Sequence, residues 1–391
     1  MPVPRPLVVF SHLRWDFVYQ RPQHVLSRLA ATRPVVVVEE PVPSGGEARW
    51  ERQQPAPGVT VLRAHTPVSE GGFSDAQLGA MRPLVASLGE EVGACDAWFY
   101  TPLALPLLDA LNGPSDGAAR GEGRVGAVVY DCMDELSAFD HAPPALLDRE
   151  ADLLARADLV FTGGPSLYRA KRDRHPAVHC FPSSVDAAHF GQARPDAPAL
   201  PEPDDQREIP RPRLGFFGVI DERLDRDLVA ALAEADPSWQ VVMVGPVVKV
   251  DPASLPQAPN LHWLGGKGYD ELPAYLAGWD VCLLPFARNK ATEFISPTKT
   301  LEYFAAERPV VSTPITDVAD PYGDLVHLGD DAGAFVAACR AALSASPRRR
   351  DENVAGMRAV LAKTSWDRTA GRMAALLDGV DAAPRQSSRA A

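Results

Sequence analysis

The chain of 391 residues is long enough for two α/β domains, and 46% hydrophobic with 23% charged residues is typical of a globular protein. Its net charge of −12, with no dense lysine and arginine stripe, argues against nucleic-acid binding. The five scattered cysteines form no CxxC pair and no cluster with histidine, which predicts a reduced cytoplasmic protein without a metal site. No apolar run approaches a membrane span in length, so we expect a soluble protein, free to make peripheral contact with the inner face of the cell membrane.

Short apolar runs alternate with amphipathic stretches along the first half of the chain. The runs are rich in β-branched and aromatic residues and lack polar alternation, which is typical of buried parallel strands. A helix is predicted from Arg21-Pro22, because proline suits a first helical turn, to about Ala31. The predicted strands are Leu7–Phe10, Pro34–Glu39, Val59–Arg63, Ala97–Tyr100, Val125–Tyr130, Leu159–Thr162 and Val178–Phe181.

The stretch from Gly191 to Arg213 is rich in proline and charge and has no apolar periodicity, so it is predicted to be a linker. The same alternation resumes beyond it, with Asp225 and Asp330 as natural N-caps. The predicted strands are Arg213–Phe217, Trp239–Gly245, Leu261–Leu264, Val281–Pro285, Pro309–Thr313 and Leu325–Leu328. The predicted helices are Asp225–Ala235, Tyr269–Ala277, Pro297–Ala306, Ala332–Ser344 and Asp351–Ala362.

This alternation on both sides of a linker predicts an α/β protein of two Rossmann-like domains, each a doubly wound parallel sheet. We place the N-terminal domain at 1–200 and the C-terminal domain at 201–364, followed by a helix at 365–380 and a flexible tail at 381–391. Ligands bind such sheets beyond the carboxyl ends of the strands. The expected active site is therefore a cleft between the two domains.

The most informative pattern lies at the start of the predicted helix Pro297–Ala306. Ser296 is a good N-cap, and the amides that follow Pro297 would remain free to bind phosphate together with the Lys299 ammonium. Glu302 lies on the same helix face, where its carboxylate could accept hydrogen bonds from ribose hydroxyls. The spacing also fits an ordinary capped helix with a Lys–Glu surface pair. The candidate nucleotide-binding residues are Ser296, Pro297, Thr298, Lys299, Thr300 and Glu302.

This segment and the following Arg308-Pro-Val-Val311 resemble the nucleotide-sugar signature of GT-B glycosyltransferases, specifically retaining family 4. The resemblance implies that the helix start holds the diphosphate and Glu302 the ribose of a UDP- or GDP-sugar, with no cofactor and no metal required. In the family a second glutamate, separated from the first by seven residues, contacts the donor sugar. Phe294 occupies that position here, and Glu293 is displaced from it by one residue.

Two other segments of the second half resemble parts of the family's donor pocket. After the strand that ends before Gly218, the family carries an arginine and a lysine that neutralise the leaving diphosphate, where negative charge develops in the transition state. Val219 stands at the arginine position, and Arg223 could supply the other charge. Arg288 and Asn289 follow another strand that lines the pocket in the family. A solvated loop position is the alternative for Arg223, Arg288 and Asn289.

The segment from Phe10 to His24 looks like the start of bacterial cell-surface polysaccharide glycosyltransferases. It follows the first strand and is dense in polar and aromatic side chains, which suits a sugar acceptor. Asp131 ends a later strand, where the family carries a cleft histidine or aspartate. The substrate-binding candidates are His12, Arg14, Asp16, Arg21, Asp131, Arg288, Asn289 and Glu293. The catalytic candidates are Asp131, Arg223 and Lys299, and Gly218 joins Arg223 among the donor-binding candidates.

The resemblance implies transfer of a sugar from a nucleotide-diphosphate sugar to a glycan or lipid-linked acceptor, in cell-surface polysaccharide or glycoconjugate synthesis. It also implies retention of anomeric configuration, and a C-terminal helix, opened by Ser365-Trp-Asp367, that crosses back to the first domain. Two alternatives share the fold. One is a nucleotide-sugar epimerase, and the other is a non-catalytic protein that binds a sugar nucleotide or a glycan.

Overall fold

The computed structural model describes residues 4–113, 123–140 and 142–382 of the chain. Over these residues the first half forms an eight-stranded sheet in the order β3-β4-β2-β1-β5-β6-β7-β8, parallel except for the β3–β4 pair. Runs of β-branched residues form its centre and are buried. Its strands are β1 (Leu7–Ser11), β2 (Val35–Pro43), β3 (Arg49–Ala56), β4 (Val59–Thr66), β5 (Cys95–Phe99), β6 (Val125–Cys132), β7 (Leu159–Thr162) and β8 (Val178–Cys180).

The second half forms a parallel sheet of its own. In the described part of the chain it has six strands in the order β11-β10-β9-β12-β13-β14. The two separate sheets confirm the predicted α/β class with two Rossmann-like, doubly wound units. The strands are β9 (Arg213–Phe217), β10 (Gln240–Val244), β11 (Leu261–Trp263), β12 (Val281–Leu284), β13 (Val310–Ser312) and β14 (His327–Leu328).

Helices connect successive strands in both halves and cover the sheets. On the first sheet, α2 to α4 pack on one face and α1 with the chain-terminal α14 on the other. The helices of the first half are α1 (Arg21–Leu29), α2 (Asp75–Val92), α3 (Leu108–Asn112), α4 (Ala145–Arg156), α5 (Pro165–Lys171) and α6 (Ala187–Gly191). Those that follow are α7 (Asp204–Arg207), α8 (Arg226–Ala235), α9 (Leu272–Ala277), α10 (Thr298–Ala305), α11 (Thr316–Tyr322), α12 (Ala332–Leu343), α13 (Pro347–Leu361) and α14 (Trp366–Ala382).

The last helix, α14, lies against α1 of the first half. Trp366 is buried there, with its ring stacked on His24 at 4.8 Å between centroids. Arg28 of α1 forms an ion pair with Asp367 at 2.5 Å, and Arg33 pairs with Asp378. The end of the chain thus packs on the first sheet. Residues 383–391 of the predicted tail lie outside the described residues.

The structure differs from the predicted elements in several details. β3 was missed because its sequence is polar and its strand is an exposed edge paired only to β4, so no apolar run marks it. Helix α10 begins one residue late, with Pro297 rather than Ser296 at the N-cap and no side-chain cap. Asp331, not Asp330, caps α12. The predicted linker Gly191–Arg213 lies between the strands of the two sheets, and it also contains α7 and buries Ile209 in the second core.

Both sheets reverse their strand order next to their first strand, between β1 and β5 in the first and between β9 and β12 in the second. Such a switch point opens a crevice at the carboxyl ends of the strands, where α/β proteins bind ligands. No helix in the described ranges has the length and apolar character needed to cross a bilayer.

Candidate active site

Residues that follow the strands of both sheets line one cavity of about 690 Å³. This is the range of volumes typical of small-molecule sites. The cavity lies where the two crevices meet, so both halves of the chain contribute to it. From the first half come His12, Glu40, Thr101, Asp134 and Phe139, and from the second come Val219, Asp221, Arg223 and Lys249.

Lys299 of α10 reaches over Gly218 at the end of β9. A Cβ atom at Gly218 would lie 2.1 Å from Lys299 Cε and 2.6 Å from its Nζ, so a side chain here would displace the lysine from this position. Gly218 also has a φ of +143°, a backbone conformation that side chains rarely adopt. Burial lowers the pKa of Lys299, while the Glu302 carboxylate opposes that shift. An anionic ligand at this ammonium would relieve the cost of its burial.

Glu302 lies on α10, three residues after Lys299, and its side chain is buried rather than part of a surface pair. Burial raises the pKa of this carboxyl to about 7, against the influence of Lys299 and of a hydrogen bond with Thr298. The backbone amides at this helix start were predicted to be free. The Thr300 amide is not, because it donates a hydrogen bond to the Pro297 carbonyl at 3.3 Å. The Thr300 hydroxyl is buried without a hydrogen-bond partner. The helix start thus combines a partly buried cation, a buried carboxyl and an unpartnered hydroxyl.

Glu302→Gln tests this burial. The folded pKa of about 7 lies above the ordinary value of 4.5, so the wild-type carboxyl contributes stability below pH 4.5 that is lost as the pH rises through 7. Glutamine does not ionise. We expect the difference in unfolding free energy, variant minus wild type, to rise by about 2–3 kcal/mol from pH 5 to pH 8, as measured by urea denaturation at both pH values. A difference that is the same at both pH values would contradict the buried, proton-binding carboxyl.

Two cations from the second half face the cavity at Phe139. Arg223 Cζ lies 5.5 Å and Lys249 Nζ 4.9 Å from the centroid of the Phe139 ring. Arg223 is held by Asp221 through hydrogen bonds of 2.7–3.1 Å, so it is an ordered residue of the cavity wall. Sequence reasoning missed Lys249. Its signal was a lone lysine in the loop that follows β10, at the same edge of the sheet as Gly218.

His12 and Glu40 form the polar part of the first half's contribution. Burial and the charge of Lys249 lower the pKa of His12 to about 4, and its Nδ1 has no hydrogen-bond partner. Burial raises the pKa of Glu40 to about 7, against the charges of Arg14 and Lys249. At neutral pH the histidine is therefore uncharged and the carboxyl only partly ionised. Glu40 was not predicted, although an acidic residue at the carboxyl end of the apolar run 35–38 was its signal.

Arg14 and Asp16 lie beside the cavity in a network around Glu39. Glu39 is fully buried and accepts hydrogen bonds from Arg14 at 3.2 Å, from the Trp15 amide at 2.6 Å and from Arg63 at 2.8 Å. Arg63 also contacts Asp16 at 3.3 Å. These bonds fix the loop after β1 to β2 and β4. Arg14 and Asp16 act in this arrangement by shaping the loop that carries His12.

Arg21 and Asp131 bind each other inside the first half. The guanidinium of Arg21 donates to Asp131 through Nη2 at 2.7 Å and Nε at 3.3 Å, and to the Phe181 carbonyl at 2.7 Å. Both side chains are buried, with Asp131 fully so. The pair joins α1 to the ends of β6 and β8. This placement favours a structural role for Asp131 over contact with a sugar.

The remaining candidates lie between β12 and α10. Arg288 and Glu293 are exposed there. Asn289 donates to the Glu222 carbonyl at 3.0 Å and accepts from the Thr292 amide at 3.2 Å, which ties this loop to the loop that carries Arg223. The Ser296 carbonyl accepts a hydrogen bond from the Ser183 hydroxyl of the first half. Contact with the donor stays a prediction for this group.

Two comparisons with known proteins match this chain to glycosyltransferases. Residues 211–345 match the family described as glycosyl transferases group 1. Over 297 residues the chain is 27% identical to the putative teichuronic acid biosynthesis glycosyltransferase TuaH of Bacillus subtilis. The matched region covers 70% of this chain and 69% of that protein.

Solved structures show the same architecture at low sequence identity. Sucrose-phosphate synthase from Thermosynechococcus elongatus is similar with a TM-score of 0.73 and 15% identity, over 97% of this chain and 100% of that one. An E. coli trehalose-6-phosphate structure bound with UDP-2-fluoro glucose is similar with a TM-score of 0.68 and 14% identity, over 97% and 99%. These likenesses establish the GT-B fold. Residues 211–345 form a glycosyl transferases group 1 domain, and the chain is a glycosyltransferase with two Rossmann-like domains.

Proposed function

We propose that this enzyme transfers a sugar, with retention, from a UDP- or GDP-sugar to a glycan or lipid-linked acceptor in cell-surface polysaccharide or glycoconjugate synthesis. The B. subtilis relative, whose name places it in teichuronic acid biosynthesis, supports the polysaccharide assignment. We place the reaction in the cytoplasm, at the inner face of the membrane, where such acceptors are presented. The domain boundaries that we propose are 1–200 for the acceptor domain and 201–364 for the donor domain.

The observation that carries the proposal is the partly buried Lys299 ammonium over the bare backbone of Gly218, with the buried Glu302 on the same helix. A diphosphate placed there meets a cation at a helix start. The ribose hydroxyls of the same nucleotide would then lie near the Glu302 carboxylate, which accepts their hydrogen bonds once it is ionised. The two halves of a nucleoside diphosphate thus find chemically matched partners three residues apart.

The proposed reaction breaks the bond between the anomeric carbon and the diphosphate. Positive charge then develops on the sugar ring, as in glycoside hydrolysis, and negative charge on the leaving diphosphate. Lys299 stabilises that negative charge, with Arg223 of the same half as a second cation, near enough to lower the pKa of Lys299. In front-face transfer a leaving phosphate oxygen takes the proton of the acceptor hydroxyl, so we assign no side chain as general base. The proposal uses no metal and no cofactor, since the two cations neutralise the leaving group.

The nucleotide is tested by calorimetric titration with UDP, GDP and ADP, on wild type and on Glu302→Ala. The E. coli neighbour bound with UDP-2-fluoro glucose supports UDP as the first choice. We expect one nucleotide to bind, and its affinity to fall about tenfold or more in the variant, because a single hydrogen bond to a charged group is worth about 1.5–3 kcal/mol. Equal affinity in both proteins would remove Glu302 from the donor site, and no binding of any nucleotide would contradict the proposed donor.

A further inference from the structure

The walls of the cavity are mainly hydrocarbon. The side chains that line it include Leu13, Phe17, Phe73, Leu136, Phe139 and Val248. A sugar needs a hydrogen-bond partner for almost every hydroxyl, and burying a hydroxyl without one costs about 1–3 kcal/mol. A purely saccharide acceptor would find partners at the polar side chains of the lining but none along this apolar part of the wall. An acceptor with an apolar portion would bury it favourably, at about 0.8 kcal/mol for each CH₂ group.

The apolar surface continues from the cavity to solvent. Phe17 lines the cavity and is nevertheless 48% exposed. A large apolar side chain left half exposed at an apolar cavity is available to a ligand. It extends the apolar wall to the mouth of the crevice, where a chain longer than the cavity could follow.

The polar end of the cavity lies toward the proposed donor site. Arg223 and Lys249 flank the Phe139 ring at this end, and Val219 of the wall directly follows Gly218, over which Lys299 lies. His12 is uncharged at neutral pH and the Glu40 carboxyl is only partly ionised, because burial shifts the pKa of each group in that direction. The first half also contributes the carboxyl groups of Asp75, Asp134 and Asp140 and the guanidinium of Arg149 to the lining, so charged groups border the apolar wall. At the end near Gly218, Arg223 and Lys249 are the cations that an anionic head would meet, and Arg223 is held in place there by Asp221.

We infer that this cavity binds the hydrocarbon portion of a lipid-linked acceptor, which enters past Phe17 and places an anionic head between Arg223 and Lys249, beside the donor. The inference rests on the proposed transfer and names its acceptor class. It covers two hydrocarbon sources, a branched isoprenoid and a straight alkyl chain, which share the same contacts with the wall.

The probes are farnesyl phosphate, pentadecyl phosphate and glycerol phosphate, titrated into the full chain below their micelle concentrations, with UDP titrated separately. We expect both hydrocarbon phosphates to bind at least tenfold more tightly than glycerol phosphate, which has the same head and no chain. Because the two hydrocarbon chains have the same number of carbon atoms, tighter binding of farnesyl phosphate than of pentadecyl phosphate would identify an isoprenoid, and the reverse order a straight chain.

Phe17→Ser tests the entry without touching the folded core, because the side chain is about half exposed. We expect it to weaken farnesyl phosphate about tenfold, as the loss of one aromatic contact predicts, and to leave UDP affinity unchanged. Leu328→Ser is the matched control, since Leu328 is 36% exposed and does not line this cavity. It should leave both affinities unchanged.

Each contrary result has its own meaning. If glycerol phosphate and farnesyl phosphate bound with equal affinity while UDP bound in its own titration, the apolar acceptor would be overturned and the proposed transfer would stand. Equal weakening of farnesyl phosphate by Phe17→Ser and Leu328→Ser would show diffuse surface association and also overturn it. If the protein bound farnesyl phosphate but no nucleotide, the cavity assignment would be supported and the proposed donor contradicted.

Discussion

Replacing Lys299 with alanine is expected to weaken binding of the donor's nucleoside diphosphate about 100-fold, on the order of 2–3 kcal/mol. Burial lowers the pKa of Lys299, so the protein holds an ammonium where its charge is poorly solvated. A diphosphate that pairs with this group replaces the missing solvation, and that interaction strengthens as negative charge builds on the leaving group. Turnover should therefore fall further than affinity.

Lys290→Ala is the matched control for this variant. Lys290 lies in the same segment before α10, and its side chain is exposed. The two substitutions remove the same charge from the chain, so a difference between them isolates the partly buried position from the general electrostatic field. Calorimetric titration with UDP measures both. If Lys299→Ala and Lys290→Ala weakened UDP equally, Lys299 would not be a diphosphate ligand.

Asp131→Ala is expected to destabilise the protein by about 3–5 kcal/mol, because it leaves the buried Arg21 guanidinium without its partner. The Arg21–Asp131 pair is bidentate and both side chains are buried. Urea denaturation of wild type and variant gives the difference in unfolding free energy. Asp320→Ala is the control, since its ion pair with Arg169 is 3.5 Å long and exposed, and should cost less than about 1 kcal/mol.

The double variant Arg21→Met with Asp131→Leu separates a structural role from a catalytic one. Replacing both members by apolar groups removes the unpaired charge, so it should cost less stability than Asp131→Ala alone. If the pair only holds α1 to the strands, the folded double variant should retain transferase activity. A folded double variant with unimpaired donor binding and no turnover would instead return Asp131 to the catalytic residues.

The alternation of apolar runs and amphipathic stretches was enough to predict the class of fold and the division into two sheets. Buried parallel strands leave a plain signal, because each must be apolar on both faces, as the run 35–38 of β2 shows. β3 left no such signal because it is a polar edge strand, which pairs with β4 on one side and is exposed to solvent. Strand order also followed only from the structure, since it depends on which crossover packs best.

The helix start at residues 296–302 could be found in the sequence because its parts are local. A proline, a lysine and a glutamate at fixed spacing act on one helix, so their relative placement follows from helical geometry. The position of Lys299 over the bare Gly218 could not be found in that way, because Gly218 follows β9 about 80 residues earlier. The same limit applies to Asp131, whose partner Arg21 lies 110 positions away.

The sequence by itself determined the two α/β halves, the place of the predicted nucleotide-binding motif on α10 and the resemblance to glycosyltransferases. These follow from periodicity and short-range spacing, which the backbone geometry of helices and strands converts directly into structure. Only the tertiary structure decided that Arg21 holds Asp131, that Lys249 joins Arg223 at Phe139, and that the crevice is mostly apolar. Those features depend on side chains that are brought together by strand order and by the contact of the two sheets' carboxyl ends. No local sequence pattern contains the distance between such residues.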